Sequence, residues 1–199
     1  MARALNPERR QVFLDTALKL FVANGVANTS TGQIAKEAGT AAGTLFLYFP
    51  TKQALIDELI LTVARAQAQA VQNRLSPELS ARERFLAIWD TTLRWFVDHP
   101  EEYRYVRQVR DSGVVSARAA QESNGFFGYY YAAIQKGLAE GAIKDYPIGL
   151  IGNTLYHQIA AVTDIILELP DAAEREDYIR KGFDIFWDGI RRVGGGRLD

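Results

Sequence analysis

The stretch TGQIAKEAGTAAGTLFLYFPTK, residues 31–52, decides how this chain is read. Thr31 has the side chain of a helix N-cap, and Ile34, Ala35 and Ala38 put a small apolar face over the two turns that follow. Gly39 predicts the end of that helix, because glycine takes up the left-handed conformation after a helix without strain. Residues 41–49 predict a second short helix, with Leu45 and Phe49 four apart and facing inward. Pro50 stops it, since the residue before a proline is pushed out of the helical region. Thr51 then caps a third helix. Two short helices joined by a tight glycine turn form a helix-turn-helix, the arrangement that lays its second helix into the major groove of DNA.

Upstream, Asn6-Pro7-Glu8 is a helix start: a capping side chain, a proline at the first helical position and an acid in the first turn. Phe13, Ala17, Leu20, Phe21 and Asn24 follow at helical spacing, and Gly25 closes the element. Its Phe13, Ala17 and Phe21 face predicts packing against Ile34, Leu45 and Phe49, which makes a three-helix head.

With that first helix included, the string resembles the DNA-binding domain of the TetR (tetracycline repressor) family. Members of that family show a threonine, then Ile-Ala, Ala-Gly, Gly-Thr-Leu-Tyr, an aromatic-Phe pair and a lysine at the start of the next helix. This chain has Thr31, Ile34-Ala35, Ala38-Gly39, Gly43-Thr44-Leu45-Phe46, Tyr48-Phe49 and Lys52. It departs from the pattern twice. Phe46 stands where a tyrosine is usual, which removes a phosphate-contacting hydroxyl. Ala41 stands where Ser or Thr often caps the reader helix, which makes Thr40 the candidate cap. The resemblance implies that Ala42, Gly43, Thr44 and Leu47 face base edges, while Thr31, Thr44, Tyr48 and Lys52 hold phosphates. The reader itself offers no Arg, Asn or Gln for a bidentate base contact, so Gln33 on the preceding helix is the nearest amide. Small residues let such a helix sit deep, where an alanine or a threonine methyl meets thymine methyls, and part of the specificity is expected from DNA shape and phosphate registration.

Composition sets outer bounds. The 199 residues are 48% hydrophobic and 24% charged, ordinary for a globular protein with a sizeable core. Cysteine is absent from the sequence, which excludes disulfides, thiolate metal sites and cysteine nucleophiles and suits a cytoplasmic location. The sequence has no apolar run long enough for a membrane span and no apolar signal segment at its start. The formal net charge is −1, but residues 1–52 carry six basic against three acidic side chains, a net of +3 that leaves −4 on the rest. A mildly basic head on an acidic body fits phosphate contact at one end.

Beyond the head, periodicity predicts helices throughout. One runs from Thr51 to about Leu75 with Leu55, Leu59, Thr62 and Ala66 inward; Pro77 lies in a linker; Ser80-Ala-Arg-Glu83 is a capping box opening a helix to Asp98. Pro100 starts the next, with Tyr103, Val106 and Val109, and Ser112-Gly113 breaks it. A helix over about 117–140 carries an aromatic cluster and three glycines, Gly125, Gly128 and Gly137, that predict a kink. Pro147 opens an eighth helix, to about Leu169, apolar on nearly every side. Pro170-Asp171 caps a ninth, striped by Ile179, Phe183, Phe186 and Ile190. Gly194-Gly195-Gly196 reads as a frayed tail.

The expected fold is therefore all-α: a helix-turn-helix DNA-binding domain over residues 1–52, and a helical ligand-binding and dimerisation domain over 53–199, joined by the helix that begins at 51. Trp89, Phe96, Tyr103, Phe127, Tyr130, Tyr131 and Tyr156 are candidates to line a pocket for an apolar or aromatic small molecule, a pocket that the resemblance implies; plain core packing is the competing reading of each. Asn153, His157 and Asp164, with Gln158 beside them, draw a polar line on the eighth helix. They would bind ligand, with His157 the foremost candidate, meet across a two-fold axis, or be satisfied in the core. Arg104, Arg107 and Arg110 lie close together on the sixth helix, as a solvated face or as a balance for an anionic ligand. Catalysis is not supported: the two histidines, His99 and His157, are far apart, and no nucleophile, phosphate-loop or zinc motif is present. No metal or cofactor is expected. The reading is a homodimeric transcriptional repressor, paired through the eighth and ninth helices with Gly152 and Gly182 allowing close approach, and released from a palindromic operator by a small, largely apolar ligand. The alternative is a small-molecule-binding helical dimer that has lost DNA binding, favoured by Phe46 and the bland reader face.

Overall fold

The computed structural model describes residues 5–193; the glycine tail at 194–196 lies outside them. Ten helices follow one another: α1 Pro7–Asn24, α2 Thr31–Glu37, α3 Ala42–Tyr48, α4 Lys52–Gln72, α5 Ala81–Asp98, α6 Pro100–Ser112, α7 Ala117–Phe126, α8 Gly128–Ala139, α9 Ile148–Glu168 and α10 Ala172–Ile190. The helix expected over 117–140 is thus two, with the break at Phe127 between Gly125 and Gly128, where the backbone leaves helical geometry. Packing divides the chain into two compact units that interleave in sequence. One holds the chain up to Arg65 together with His99–Gly125; the other holds Ala66–Asp98 and the chain from Phe126 onward.

The first unit is built on α1. Asn6 Oδ1 accepts from the Glu8 and Arg9 N–H groups, the cap its sequence predicts. Phe13, Ala17 and Phe21 are fully buried, together with Ile34, Leu45 and Phe49, and Leu14 and Leu18 widen the buried face of α1. Each large apolar side chain buried this way contributes about 1.5–3 kcal/mol. The α6 helix joins this unit through Tyr105, whose ring stacks on Phe21 (centroids 6.0 Å apart) and whose buried hydroxyl donates to the Ile56 carbonyl of α4 at 3.0 Å. Burial pushes the Tyr105 phenol well above its ordinary pKa, so it acts as a donor at every physiological pH. A second tie runs from α4 to the turn after α6. Gln53 Nε2 donates to the Val114 carbonyl at 2.9 Å, and the buried Asp57 carboxylate accepts from the Ser116 N–H at 3.0 Å and from Gln53 at 2.8 Å.

The second unit centres on Trp89 of α5. Its indole N–H donates to the Ile179 carbonyl at 2.8 Å, and its ring stacks on Phe186 and meets Phe183 edge-on. Phe85, Ile88, Leu93, Ile134, Leu155, Ile159 and Ile166 complete this core. Gly182 lets α10 close onto it: a Cβ there would stand 2.7 Å from Trp89 Cζ2 and 2.8 Å from Val162 Cγ2. The expectation that Gly182 serves close approach between two copies is therefore corrected, because it is buried within one chain; Gly152 has open space where a Cβ would be. The α9 helix is likewise not apolar all round. Ile151, Leu155, Ile159, Ala160, Thr163 and Ile166 form its buried face, while Asn153, His157 and Asp164 are exposed, so His157 is no core histidine. An antiparallel bridge, Ile143 to Arg191, holds the α8–α9 connection against the end of α10.

Candidate DNA-binding surface

Local chemistry sets the reader helix. The N-cap of α2 is Ser30, not Thr31: Ser30 Oγ accepts from the Gln33 N–H at 3.1 Å, and Gln33 Oε1 accepts from the Ser30 N–H at 2.7 Å, a reciprocal capping box. Thr31 is the first helical residue. Gly39, at φ +68°, makes the turn that reverses the chain into α3, a conformation that a side chain would strain. No side chain caps α3; Thr40, the candidate cap, donates its hydroxyl back to the Ala35 carbonyl. Thr51 Oγ1 accepts from the Ala54 N–H at 3.0 Å and so caps α4 as expected.

Leu45 and Phe49 are buried, which fixes the opposite face of α3 outward. Ala42 and Gly43 are exposed, Thr44 is half-buried, and Leu47 is 67% exposed, with Phe46 at 42% beside it. Tyr48 is half-buried, edge-on to Phe13, and its hydroxyl accepts from the Asn6 N–H at 3.2 Å, which leaves the phenol proton for an outside acceptor. Arg10 lies over the Phe49 ring, 5.4 Å from its centroid, and pairs with Glu58 of α4 at 2.5 Å, so the end of α3 is clamped between α1 and α4. Sequence reasoning missed this clamp, because neither partner has a local signature. Lys52 sits at the first turn of α4 as expected, but its ammonium donates to the Val26 carbonyl at 2.6 Å and straps down the α1–α2 connection. An ammonium has three protons, so a phosphate contact and this strap are compatible.

The candidate ligand-binding residues do not gather as one set. Tyr103 belongs to the first unit. Trp89 is fully buried in the packing described above. Tyr131 is 60% exposed and His157 is exposed on α9, edge-on to the half-buried Tyr156; neither lies in an enclosed site within this chain. What the second unit does bring together is Phe127, Tyr129 and Tyr130, the two tyrosine rings stacked at 4.7 Å, around a buried polar group that sequence reasoning did not assemble. The Tyr129 hydroxyl donates to Gln67 Oε1 at 3.4 Å, and Gln67 Nε2 donates to Thr92 Oγ1 at 3.0 Å. Burial pushes both phenols upward, so they stay protonated. Phe96 is half-buried against the same core.

Comparison with known proteins places this architecture. The family model described as bacterial regulatory proteins, tetR family, matches residues 13–59, from α1 into the second turn of α4. The crystal structure of a tetR family transcription regulator from Shewanella sp. PV-4 superposes with a TM-score of 0.85 at 30% identity, covering 93% of this chain and 99% of that one. The HTH-type transcriptional regulator SrpR of Pseudomonas putida is 26% identical over 191 residues, 92% of this chain and 86% of that protein. A transcriptional regulator from Saccharomonospora viridis, solved in complex with choline, shares the fold at a TM-score of 0.73 and 20% identity, covering 94% of this chain and all of that one. With its helix-turn-helix head and a helical body matched along nearly the whole length, the chain belongs to the tetR family of DNA-binding transcriptional regulators and is not an enzyme.

Proposed function

We propose that the protein is a homodimeric repressor, acting in the cytoplasm, that leaves a near-palindromic operator when a small, largely apolar ligand binds its body. The observation that carries the reading is the outer face of the last two helices. Along α9, Leu150, Asn153, Thr154, His157, Ala161, Asp164 and Ile165 are exposed on one side; along α10, Tyr178, Lys181, Ile185 and Gly189 are. Leu150, Ile165 and Ile185 are 56%, 43% and 66% exposed, so three large aliphatic side chains of this face stand open to water. A two-fold axis would pair this face with its own copy in a four-helix interface. Asn153, His157 and Asp164 then face partner groups across the axis.

A dimer presents two α3 helices to half-sites about 34–36 Å apart. In this reading the functional domains divide at residues 52 and 53. Thr31, Gln33, Ala42, Gly43, Thr44, Leu47, Tyr48 and Lys52 form the DNA-contacting set. The ligand is met by the aromatic residues of the body, with Gln67, Thr92, Tyr129 and Tyr130 as the polar wall that orients it. A regulator of this fold holding choline supports a small molecule as effector. Release requires that the ligand prefer the state that does not fit the operator, with a coupling of about 1–3 kcal/mol. Fluorescence anisotropy on DNA from upstream of its own gene, at two salt concentrations, tests the reading. Tight, sequence-selective, salt-sensitive binding by a dimer is expected. A monomer at micromolar concentration in sedimentation, or no DNA binding at any salt, would overturn it, and the latter would put the ligand-carrier alternative first.

A further inference from the structure

The polar groups that α3 and its neighbours could turn toward bases are in part engaged within the head. Gln33 is bound through its carbonyl to Ser30, Thr40 donates to Ala35, and Tyr48 accepts from Asn6. What α3 offers outward is apolar, in two rows one turn long: Ala42 with Phe46, and Gly43 with Leu47. Leu47 follows Gly43 by one turn, and Gly43 has no side chain and nothing within 4 Å of where one would begin. With no side chain at Gly43 one turn before it, the two-thirds exposed Leu47 is the most prominent apolar projection of the reader. It is continuous with the DNA-binding surface of the helix-turn-helix.

We propose that Leu47 is the principal base-reading residue of this regulator and that it recognises the 5-methyl group of thymine in each half-site. The major groove displays one apolar group, the thymine methyl, and a branched aliphatic side chain matches it while desolvating no donor or acceptor of its own. Gly43 makes the match possible, because a side chain there would hold the helix away from the groove or cover Leu47. Phe46 continues the apolar edge toward the sugar–phosphate wall. The inference rests on α3 being the reader helix of the proposed repressor.

The test begins with selection of bound duplexes from a random library by the full-length protein. Each thymine of the selected half-sites is then replaced by deoxyuridine, which removes the methyl and leaves pairing intact. Burial of one methyl predicts about a four-fold loss of affinity at one or two positions per half-site. The same replacements should leave the affinity of Leu47→Ala, already weakened, unchanged. Leu47 is exposed, so the variant keeps its fold, which circular dichroism checks. Selected half-sites without thymine, uridine effects that are absent, or effects of equal size in wild type and Leu47→Ala would each overturn the proposal. Salt-sensitive binding with no enriched sequence would overturn it too, while leaving DNA binding itself intact.

Discussion

Replacing Gly182 with alanine separates a packed glycine from an interface glycine. An alanine in a helix interior is favoured over glycine by about 1 kcal/mol, so a site with room would gain stability. Here the new methyl would stand 2.7 Å from the Trp89 ring on one side and 2.8 Å from a Val162 methyl on the other. Both distances are well inside van der Waals contact at about 3.5–4.0 Å, and the side chain can relieve neither by rotation. Trp89 is unable to swing away cheaply, since its indole N–H is bonded to Ile179 and its ring is held by Phe183 and Phe186. Overpacking of this kind costs about 1–3 kcal/mol. Against the propensity gain, the net expectation is a loss of up to about 2 kcal/mol, a fall of several degrees in melting temperature for a chain of this size. Urea unfolding followed by tryptophan fluorescence at fixed protein concentration reads it directly, and sedimentation should show the self-association constant unmoved. A variant that is more stable than wild type, or one that is equally stable but dissociates more readily, would refute the placement of Gly182 between α5 and α9.

Four further outcomes follow from the same geometry. Tyr48→Phe should weaken binding to all sequences by roughly ten-fold with the salt slope unchanged, because a charge-assisted donor is lost and no charge is; unaltered affinity rejects the phosphate contact. Lys52→Ala should lower the salt slope by about one unit and also destabilise the head, which the Val26 strap explains; an unchanged slope would leave the strap as its whole role. Arg10→Gln should reduce DNA affinity while the salt slope holds, with Glu58→Gln giving the same phenotype and the double variant no worse, since both partly exposed residues position α3; a lower slope for Arg10→Gln alone would make it a phosphate contact. Burial raises the Asp57 pKa, but the hydrogen bonds from Ser116 and Gln53 outweigh it and hold the carboxyl below its ordinary value. The stabilisation is therefore full above about pH 4 and is lost as pH falls through the folded-state pKa. Urea midpoints at pH 7 and pH 3 should drop further for wild type than for Asp57→Asn, and parallel drops would discount the carboxylate.

The head and the order of helices were legible because their determinants are local. Asn6-Pro7, the Ser80 and Glu83 box, Thr51 and Gly39 act within a few residues of themselves, and each does in the structure what its spacing predicts. The Ser30 cap is legible as well, from Gln33 three residues later, but Thr31 beside it carries an equally suitable capping side chain. What the sequence does not carry is the partner of a group whose neighbour lies far along the chain. Gln67 gains meaning from Thr92 and Tyr129, Tyr105 from Ile56 and Phe21, and Gly182 from Trp89. Amphipathic periodicity shows that α9 has faces, but not which one the body covers. Asn153, His157 and Asp164 therefore read as core, ligand or interface, with the core reading favoured for His157, until their exposure is known.

The capping box has a consequence for how this regulator changes over evolutionary time. Gln33 is bound to the start of its own helix through its carbonyl, so toward DNA it offers only its amino protons and addresses acceptors alone. If Gln33 contacts a base, as proposed, its replacement would alter the helix start and the recognised base together, which couples two traits that selection would otherwise tune apart. Ala42, Gly43 and Leu47 have no such second attachment. Divergence of operators among descendants of this protein is expected to run through those three positions, with Gln33 changing last.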